Sequence, residues 1–383
     1  LAIWFPHIIG VGYETTSDAL TGQIALLEKT VNIGSGTMNH AGVRAVGDVM
    51  AGELDALGLE TRWIDMPEEM NRAGHLFATK KGQGKRFLLI GHLDTVFEAD
   101  DDFQAFTREG NIATGPGIAD MKDGNAVIVY ALKALQHIGA LDGIPITVVY
   151  TGDEEKSGRP LSISRRDLIE AGKWADIALG FEGAITSEGY DWATIARRSS
   201  SSWMLEVEGK QAHSSSIFSE STGAGAINEA SRILSAFYTD VRGDYGLTFN
   251  AGTIQGGTAV NYDPGQNRGT TFGKTNVVPN TAVVHGGIRA LSVEQLARAK
   301  AKMQAIVANH LPQTSASISF ADSYPPMAPS AGNRALASEL SEVNQALGRG
   351  AMKTWDPLRR GAADISFVAP YTDALAGLGA LGK

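Results

Sequence analysis

Acidic and imidazole side chains follow three apolar segments that are typical of buried strands. They are His92 and Asp94 after residues 87–90, Glu154 and Glu155 after residues 144–150, and Glu182 after residues 177–181. Ligands bind beyond the carboxyl ends of strands in open α/β sheets, so these side chains are candidates for one shared site. The chain has no cysteine, which leaves His, Asp and Glu as the ligands for any metal ion.

His92 and Asp94 are two positions apart, so they point to the same side of an extended chain. We expect the Asp94 carboxylate to accept the second ring N–H of His92 and to fix its tautomer. The alternative is an ordinary surface hydrogen bond at a strand end, and this pair alone does not separate the two.

A glycine-rich loop at residues 115–125 carries Asp120 into a predicted helix. It lacks the later glycine of a dinucleotide fingerprint, and its lysine is misplaced for a phosphate loop. Another use for such a tight turn is to point the Asp120 carboxylate into the site, where it could bridge two cations. The loop alone favours the alternative, in which Asp120 caps the helix.

Glu154 and Glu155 are adjacent carboxylates at a strand end, where they repel each other unless a cation or proton intervenes. The repulsion would be relieved if one carboxylate bound a metal ion and the other was free to transfer protons. A solvated acidic turn is the alternative, and it is less typical after a buried strand.

The elements that position these residues alternate between apolar strands and helices, which predicts an α/β fold with a largely parallel sheet covered by helices. The pattern changes near Arg197 to the order β-α-β-β-α-β. We therefore predict a discontinuous metal-binding domain at residues 1–195 and 316–383, interrupted by an inserted α+β ferredoxin-like domain at residues 196–315.

Composition limits the possible partners. The chain has 383 residues, 43% of them hydrophobic and 20% charged, and a net charge of −9. Negative charge disfavours nucleic acids and anionic membrane surfaces. The opening segment Leu1–Gly12 is apolar but too short to span a membrane, and whether it is the remnant of a signal peptide stays open, as does the compartment.

Five ordered motifs resemble those of the di-zinc metallopeptidase and aminoacylase family, especially its glutamate carboxypeptidase branch. They are His92-Leu93-Asp94, Gly115-Pro116-Gly117 with Asp120, Gly152-Asp153-Glu154-Glu155, Phe181-Glu182-Gly183 and Gly209-Lys210-Gln211-Ala212-His213. The resemblance covers residues 20–382 and implies a zinc domain that carries a lid domain.

The resemblance implies a role for each of these residues. His92 and Glu182 would hold one Zn²⁺, Glu155 would hold a second, and Asp120 would bridge both, although other divalent cations are possible. Asp94 would orient His92. Glu154 would be the general base that takes a proton from the metal-bridging water and passes it to the leaving nitrogen.

Three residues of the inserted domain also match the family. His213 resembles a histidine that donates to the oxyanion, usually in the neighbouring subunit, so the resemblance implies a homodimer formed through the lid. Asn276 and Arg289 resemble residues that grip the substrate's carboxylate, a task that suits the planar arginine fork. A strand-end ion pair is the alternative for Arg289.

The sequence departs from the family at three places. The family has a last zinc ligand, a histidine, after a Gly-Leu-Gly stretch, and no histidine follows Gly377-Leu378-Gly379 here. The final helix of the family is missing too, and a glycine-rich segment is a poor chain terminus, so we interpret the sequence as cut short. If the sequence is complete, the Glu155 zinc lacks one protein ligand. The segment Ala259–Thr275 is longer than usual and would shape the lid edge or the specificity, and Gly361-Ala362-Ala363-Asp364 replaces Gly-Thr-Asp.

The function predicted is a zinc-dependent exopeptidase or amidohydrolase that cleaves an amide bond next to a free carboxylate, most like a glutamate carboxypeptidase. Its substrate would be a small peptide or an N-acyl amino acid. A desuccinylase or deacetylase with the same metal centre is the nearest alternative. A catalytically silent member that binds a metal or small ligand is the other, if the chain truly ends at Lys383.

Overall fold

The computed structural model describes residues 13–382, and the opening segment Leu1–Gly12 lies outside them. The helices of the described residues are α1 Tyr13–Val31, α2 His40–Asp55, α3 Asp123–His137, α4 Leu161–Ser164, α5 Arg166–Trp174, α6 Ala226–Ala236, α7 Val293–Val307, α8 Ala331–Ala346 and α9 Ile365–Val368. None of these helices has the length and apolar character that crossing a membrane requires.

The strands are short and numerous. They are β1 Glu60–Ile64, β2 His75–Lys80, β3 Phe87–His92, β4 Thr107–Glu109, β5 Ile112–Thr114, β6 Ile146–Thr151, β7 Ile177–Gly180, β8 Ile185–Ser187, β9 Tyr190–Ala193, β10 Ser201–Gly209, β11 Thr248–Gly257, β12 Ala259–Asp263, β13 Arg268–Phe272, β14 Thr281–Arg289, β15 Thr314–Asp322, β16 Lys353–Thr354 and β17 Asp373–Leu375.

The larger of two compact units contains the chain up to Ala196, Met327–Arg359 and the residues from Ala363 onward. Its six-stranded sheet has the order β1-β2-β6-β3-β7-β17. The pairs β6/β3, β3/β7 and β7/β17 are parallel, and β1/β2 and β2/β6 are antiparallel. The prediction of a largely parallel sheet between helices is confirmed.

Strands β6 and β7 are buried along their whole length, as strands covered on both faces must be. Helix α3 approaches the segment after β7 very closely. A Cβ atom on Gly124 would lie 1.9 Å from the carbonyl oxygen of Phe181, so only glycine fits at this point of the helix. This packing sets the position of the residue that follows, Glu182.

The smaller unit contains Arg197–Pro326 and residues 360–362. Its antiparallel sheet has the order β11-β14-β10-β15, the split β-α-β-β-α-β arrangement of a ferredoxin-like fold. Trp203 and Leu205 of β10 pack with Ile233 of α6 and Met303 of α7 in one core. Strand β15 pairs with β10 along its length, so it belongs to the smaller unit and the boundary predicted at residue 315 falls inside this strand.

The long segment Ala259–Thr275 contains the hairpin β12–β13. The hydroxyl of Tyr262 lies 2.9 Å from His285 Nδ1 and accepts a hydrogen bond from Thr253 at 3.1 Å. Because Thr253 and His285 are partners on β11 and β14, the hairpin packs against the sheet of the smaller unit.

Candidate metal centre and active site

Three parallel strands bring the predicted ligands to one edge of the sheet of the larger unit. Strand β3 lies between β6 and β7, and His92 is its last residue. Glu154 and Glu155 follow β6, and Glu182 follows β7. The strand register therefore places all four residues at the carboxyl end of the sheet.

His92 is 2% exposed and held in a defined orientation. Its Nδ1 donates to the backbone carbonyl of Asp94 at 3.0 Å, and its own carbonyl accepts the amide of Asn125 at 2.6 Å. With the proton on Nδ1, the neutral ring presents the lone pair of Nε2 to the site. The Asp94 carboxylate lies on the same side of the ring, with Oδ1 3.4 Å from Nδ1, so the backbone carbonyl is the nearer acceptor and the orienting role of the carboxylate stays a prediction.

Asp120 comes from a turn whose backbone is not helical at that residue (φ −138°, ψ 89°). Its Oδ1 lies 3.0 Å from His92 Nε2, and its side chain is 67% exposed. Potential ligand atoms of His92, Asp120 and Glu155 all lie within 4.8 Å of one another. With metal–ligand bonds of roughly 2.0–2.2 Å, one cation could contact these groups at such separations.

Glu182 is half-buried after β7, and its carbonyl accepts the backbone N–H of Gly379 at 3.0 Å. It is not part of the compact group formed by His92, Asp120 and Glu155. Its carboxylate is nevertheless close enough to raise the pKa values of Glu154 and Glu155. Glu182 thus lies at the same site, beside the compact group.

Asp94 is fully buried and acts on the two glutamates. Its carboxylate accepts the backbone N–H of Glu154 at 3.0 Å and of Glu155 at 3.1 Å. The hydroxyl of Thr37 donates to the same carboxylate at 2.6 Å. Charge-assisted hydrogen bonds of this kind are stronger than neutral ones, so Asp94 ties the turn after β6 to the end of β3.

The carboxyls of the site repel one another. Burial first, and then the charges of Glu182, Asp364 and Asp94, raise the pKa of Glu154 well above its usual value despite the opposing effect of His92. Burial and neighbouring carboxylates, Asp120 first among them, raise the pKa of Glu155 to about 7. Such a cluster favours a bound cation, which would stabilise the charged carboxylates.

The pKa of His92 is raised well above its usual value. Burial alone would lower it, but the interactions with Asp120 and Asp94, followed by the charge of Glu154, outweigh burial. A cation would replace the proton at this ring, as it would at the carboxylates. The donor set of imidazole and carboxylates therefore fits Zn²⁺ or a similar divalent ion.

Sequence reasoning missed three residues that support the site: Thr37, Asn125 and Arg165. Asn125 is the last residue of the glycine-rich segment 115–125 and lies in the first turn of α3, so its proximity to Asp120 in the sequence could have indicated it. Thr37 and Arg165 contact the site only through the fold, and no local pattern marks them.

His213 and Asn276 lie together in the smaller unit. His213 forms a β-bridge with Val277, and the backbone N–H of Ser214 donates to the carbonyl of Asn276 at 2.9 Å. Nδ1 of His213 accepts the backbone N–H of Ser215 at 3.2 Å. The proton of the neutral ring is then on Nε2, where it can be donated to another molecule.

Arg289 lies at the opposite end of this sheet. It ends β14, whereas Asn276 and Val277 precede the start of that strand. Nine residues of strand span about 27 Å, so Arg289 is remote from His213 and Asn276 within one chain. Arg289 is exposed and makes no ion pair within the described part of the chain, which does not support the alternative of a strand-end pair.

Comparison with known families decides the class of this protein. The family model of peptidase family M20/M25/M40 matches residues 88–383. The chain belongs to this family. The predicted resemblance to this family is therefore confirmed.

Two curated relatives of this M20 protein differ in their reported activities. Carboxypeptidase G2 of Pseudomonas sp. (strain RS-16) is 36% identical over 225 residues, which are 58% of this chain and 52% of that protein. Succinyl-diaminopimelate desuccinylase of Gluconobacter oxydans (strain 621H) is 28% identical over 319 residues, 80% of this chain and 77% of that protein. This chain thus matches about half the length of the first relative.

A solved structure shares the fold of this M20 protein. It is the Bacillus subtilis YXEP protein, described as a dinuclear metal binding peptidase from the M20 family. The TM-score is 0.61 at 14% identity, and the match covers 94% of this chain and 88% of that one. At this identity the likeness establishes the common fold.

Proposed function

We propose that this protein is a zinc-dependent exopeptidase or amidohydrolase that cleaves an amide bond next to a free carboxylate, most like a glutamate carboxypeptidase. One observation carries the proposal. Ligand atoms of His92, Asp120 and Glu155 lie within 4.8 Å of one another, beside Glu154, whose pKa is raised. A metal binder without catalysis has no need for that additional carboxyl.

His92, Asp120, Glu155 and Glu182 would hold two divalent cations, with Asp120 shared between them. When bound, the cations would lower the pKa of a coordinated water to about 7 and stabilise negative charge on the substrate oxygen. The number and identity of the metal ions are part of the proposal.

Glu154 is the general base of the proposed reaction. Its carboxylate removes a proton from the attacking water and then donates that proton to the leaving nitrogen. The raised pKa of Glu154, caused first by burial, makes its carboxylate a stronger base toward the water than an exposed glutamate would be. Asp94 positions Glu154 through the backbone N–H.

His213, Asn276 and Arg289 are proposed to bind the substrate. The Nε2–H of His213 can donate to the developing oxyanion, and Arg289 can bind a carboxylate through its fork. Since Arg289 is about 27 Å from the end of β14 near Asn276, one small substrate cannot contact all three residues of one chain. This separation supports the homodimer in which each site takes His213 and Asn276 from the neighbouring subunit.

A deacylase is the second candidate function. The alignment with the desuccinylase covers 80% of this chain, more than the 58% covered with the carboxypeptidase. Both functions use the same metal centre, and they differ in which side of the amide bond carries the free carboxylate.

Matched substrates test the two functions. The protein is stripped of metal, reloaded with excess Zn²⁺, and assayed for amine release from N-acyl glutamates, from the same compounds with an amidated α-carboxyl, and from N-succinyl amines. We expect cleavage of the free N-acyl glutamates and none of their α-amides. Preference for N-succinyl amines would instead establish the deacylase.

Glu154→Gln is the control variant, because it keeps the size of the side chain but cannot take up a proton. It should bind the same amount of zinc and lose activity by roughly 10²-fold or more. Full activity of Glu154→Gln would contradict the assignment of the base, and no cleavage of any substrate by the zinc-loaded protein would contradict the function.

A further inference from the structure

The buried guanidinium of Arg165 contacts the turn that carries Glu154 and Glu155. Arg165 is fully buried, and its Nη1 donates to Asp153 Oδ1 at 2.5 Å. Its Nη2 donates to the carbonyl of Asp153 at 3.1 Å and to the hydroxyl of Ser157 at 3.2 Å. One side chain therefore holds the turn on both sides of the two glutamates.

The same guanidinium holds a second carboxylate. Arg165 Nε donates to Asp364 Oδ1 at 2.8 Å, and Thr151 donates to Asp364 Oδ2 at 2.5 Å. Thr151 is the last residue of β6, and Asp364 lies immediately before α9. The end of β6 and the turn after it are thus anchored to a segment 213 positions later in the chain.

This cluster is costly to bury. Arg165, Asp153 and Asp364 are at most 3% exposed, and they combine one positive with two negative charges. Taking such charges out of water offsets much of their mutual attraction, and apolar side chains of similar volume often stabilise a fold equally well. Unlike apolar packing, the cluster determines the orientation of its side chains, because the arginine fork binds two carboxylates in defined geometries.

We propose that Arg165 and Asp364 are positioning residues that hold the Glu154–Glu155 turn in its working place. Arg165 acts on the turn directly through Asp153 and Ser157, and Asp364 acts through Thr151. This inference rests on the proposed function, because it assigns a consequence to the placement of Glu154. Displacement of a catalytic group by about 1 Å can cost roughly 10²-fold in rate.

Threonine variants of β6 test the proposal without removing a buried charge. Thr151→Val deletes the hydrogen bond to Asp364 and keeps the shape of the side chain. Thr151→Ser keeps the hydroxyl. Thr147→Val is the matched control, since Thr147 lies on the same face of β6, is 7% exposed and is outside the cluster.

We expect Thr151→Val to lower kcat roughly tenfold at saturating zinc with KM unchanged, because displacement of the turn misplaces the Glu154 carboxylate. Thr151→Ser and Thr147→Val should keep wild-type kcat. Equal kcat values for Thr151→Val and Thr147→Val would overturn the proposal, and so would a loss confined to KM or to zinc content.

Hydrogen exchange in the metal-free protein provides a readout that does not need activity. Amides of residues 152–158 should exchange faster in Thr151→Val than in Thr147→Val, and unchanged exchange would overturn the proposal. If the wild-type protein cleaves no substrate, the proposed function fails while this exchange measurement still decides whether the cluster holds the turn. Arg165→Lys, which keeps the charge and loses the fork, should show the same faster exchange.

Discussion

The carboxylate of Asp94 accepts the backbone N–H of Glu154 at 3.0 Å. It accepts the N–H of Glu155 at 3.1 Å as well, so one buried side chain positions both glutamates while its own carbonyl accepts from His92. Asp94 is therefore the connection between the strand that presents the imidazole and the turn that presents the general base.

Asp94→Asn tests this connection. The amide NH₂ of asparagine would face a backbone N–H that needs an acceptor, so one of the two glutamates would lose its hydrogen bond. We expect zinc affinity to fall roughly 10–100-fold, as for other residues that orient metal ligands, with a lower kcat at saturating zinc. Titration with zinc buffers and steady-state assays measure the two effects, and an unchanged affinity together with an unchanged kcat would contradict the assigned role.

Zinc binding should release protons. In the metal-free protein the pKa of Glu155 is about 7, so at pH 7 its carboxyl is about half protonated. The pKa values of Glu154 and His92 are raised too. Because a cation favours the deprotonated form of each group, zinc affinity should rise as the pH increases through about 7. Calorimetry in two buffers of different ionisation enthalpy counts the protons, and equal heats in both would contradict the prediction.

Mixing two inactive variants tests the shared site of the proposed dimer. His213→Ala and Arg289→Ala should each lose activity. In a mixed dimer one site would contain both substitutions and the other neither, so random exchange between equal amounts should restore about a quarter of wild-type activity. No recovery after demonstrated subunit exchange would mean that His213 and Arg289 serve one site from the same chain, or that neither acts on the substrate.

Gly124→Ala should destabilise the larger unit. The new methyl group would meet the carbonyl oxygen of Phe181, next to Glu182, so helix α3 or that segment has to move. We expect a loss of about 1–3 kcal/mol in the free energy of unfolding, together with weaker zinc binding.

Gly52→Ala is the matched control. Gly52 lies in α2, and apart from the backbone of its own helix nothing in the described residues lies within 4 Å of the added Cβ, so alanine should stabilise the protein by about 0.4–1 kcal/mol. Urea unfolding of the metal-free proteins compares the two variants. Equal stability of both would show that the contact at Phe181 relaxes without cost.

Much of the candidate site could be predicted because strands of a parallel sheet end at one edge. The uninterrupted apolar runs at residues 87–90, 144–150 and 177–181 indicated three such strands. Of the residues that follow them, His92 and Glu155 lie in one compact group with Asp120. The order of the predicted strands and helices indicated the ferredoxin-like unit. That order did not place the end of the unit, because the pairing of β15 with β10 is a contact between distant segments, and the predicted boundary at 315 falls inside β15.

Orientation within the site could not be predicted. The spacing of two residues predicted that Asp94 lies on the same side of the chain as His92. In the structure the backbone carbonyl of Asp94 is the group nearer to His92 Nδ1, and the Asp94 carboxylate accepts two backbone N–H groups. Asn276 and Arg289 looked alike as carboxylate binders, yet the antiparallel register of β14 puts them at opposite ends of a sheet.

The sequence by itself determined the strands, the residue types at their ends and the family, since these depend on patterns within short windows of the chain. Only the tertiary structure decided which atoms meet. Arg165 and Asp364 are 199 positions apart and their carboxylate–guanidinium contact is 2.8 Å long. A hydrogen bond tolerates only a few tenths of an ångström, and that placement depends on the packing of the whole unit.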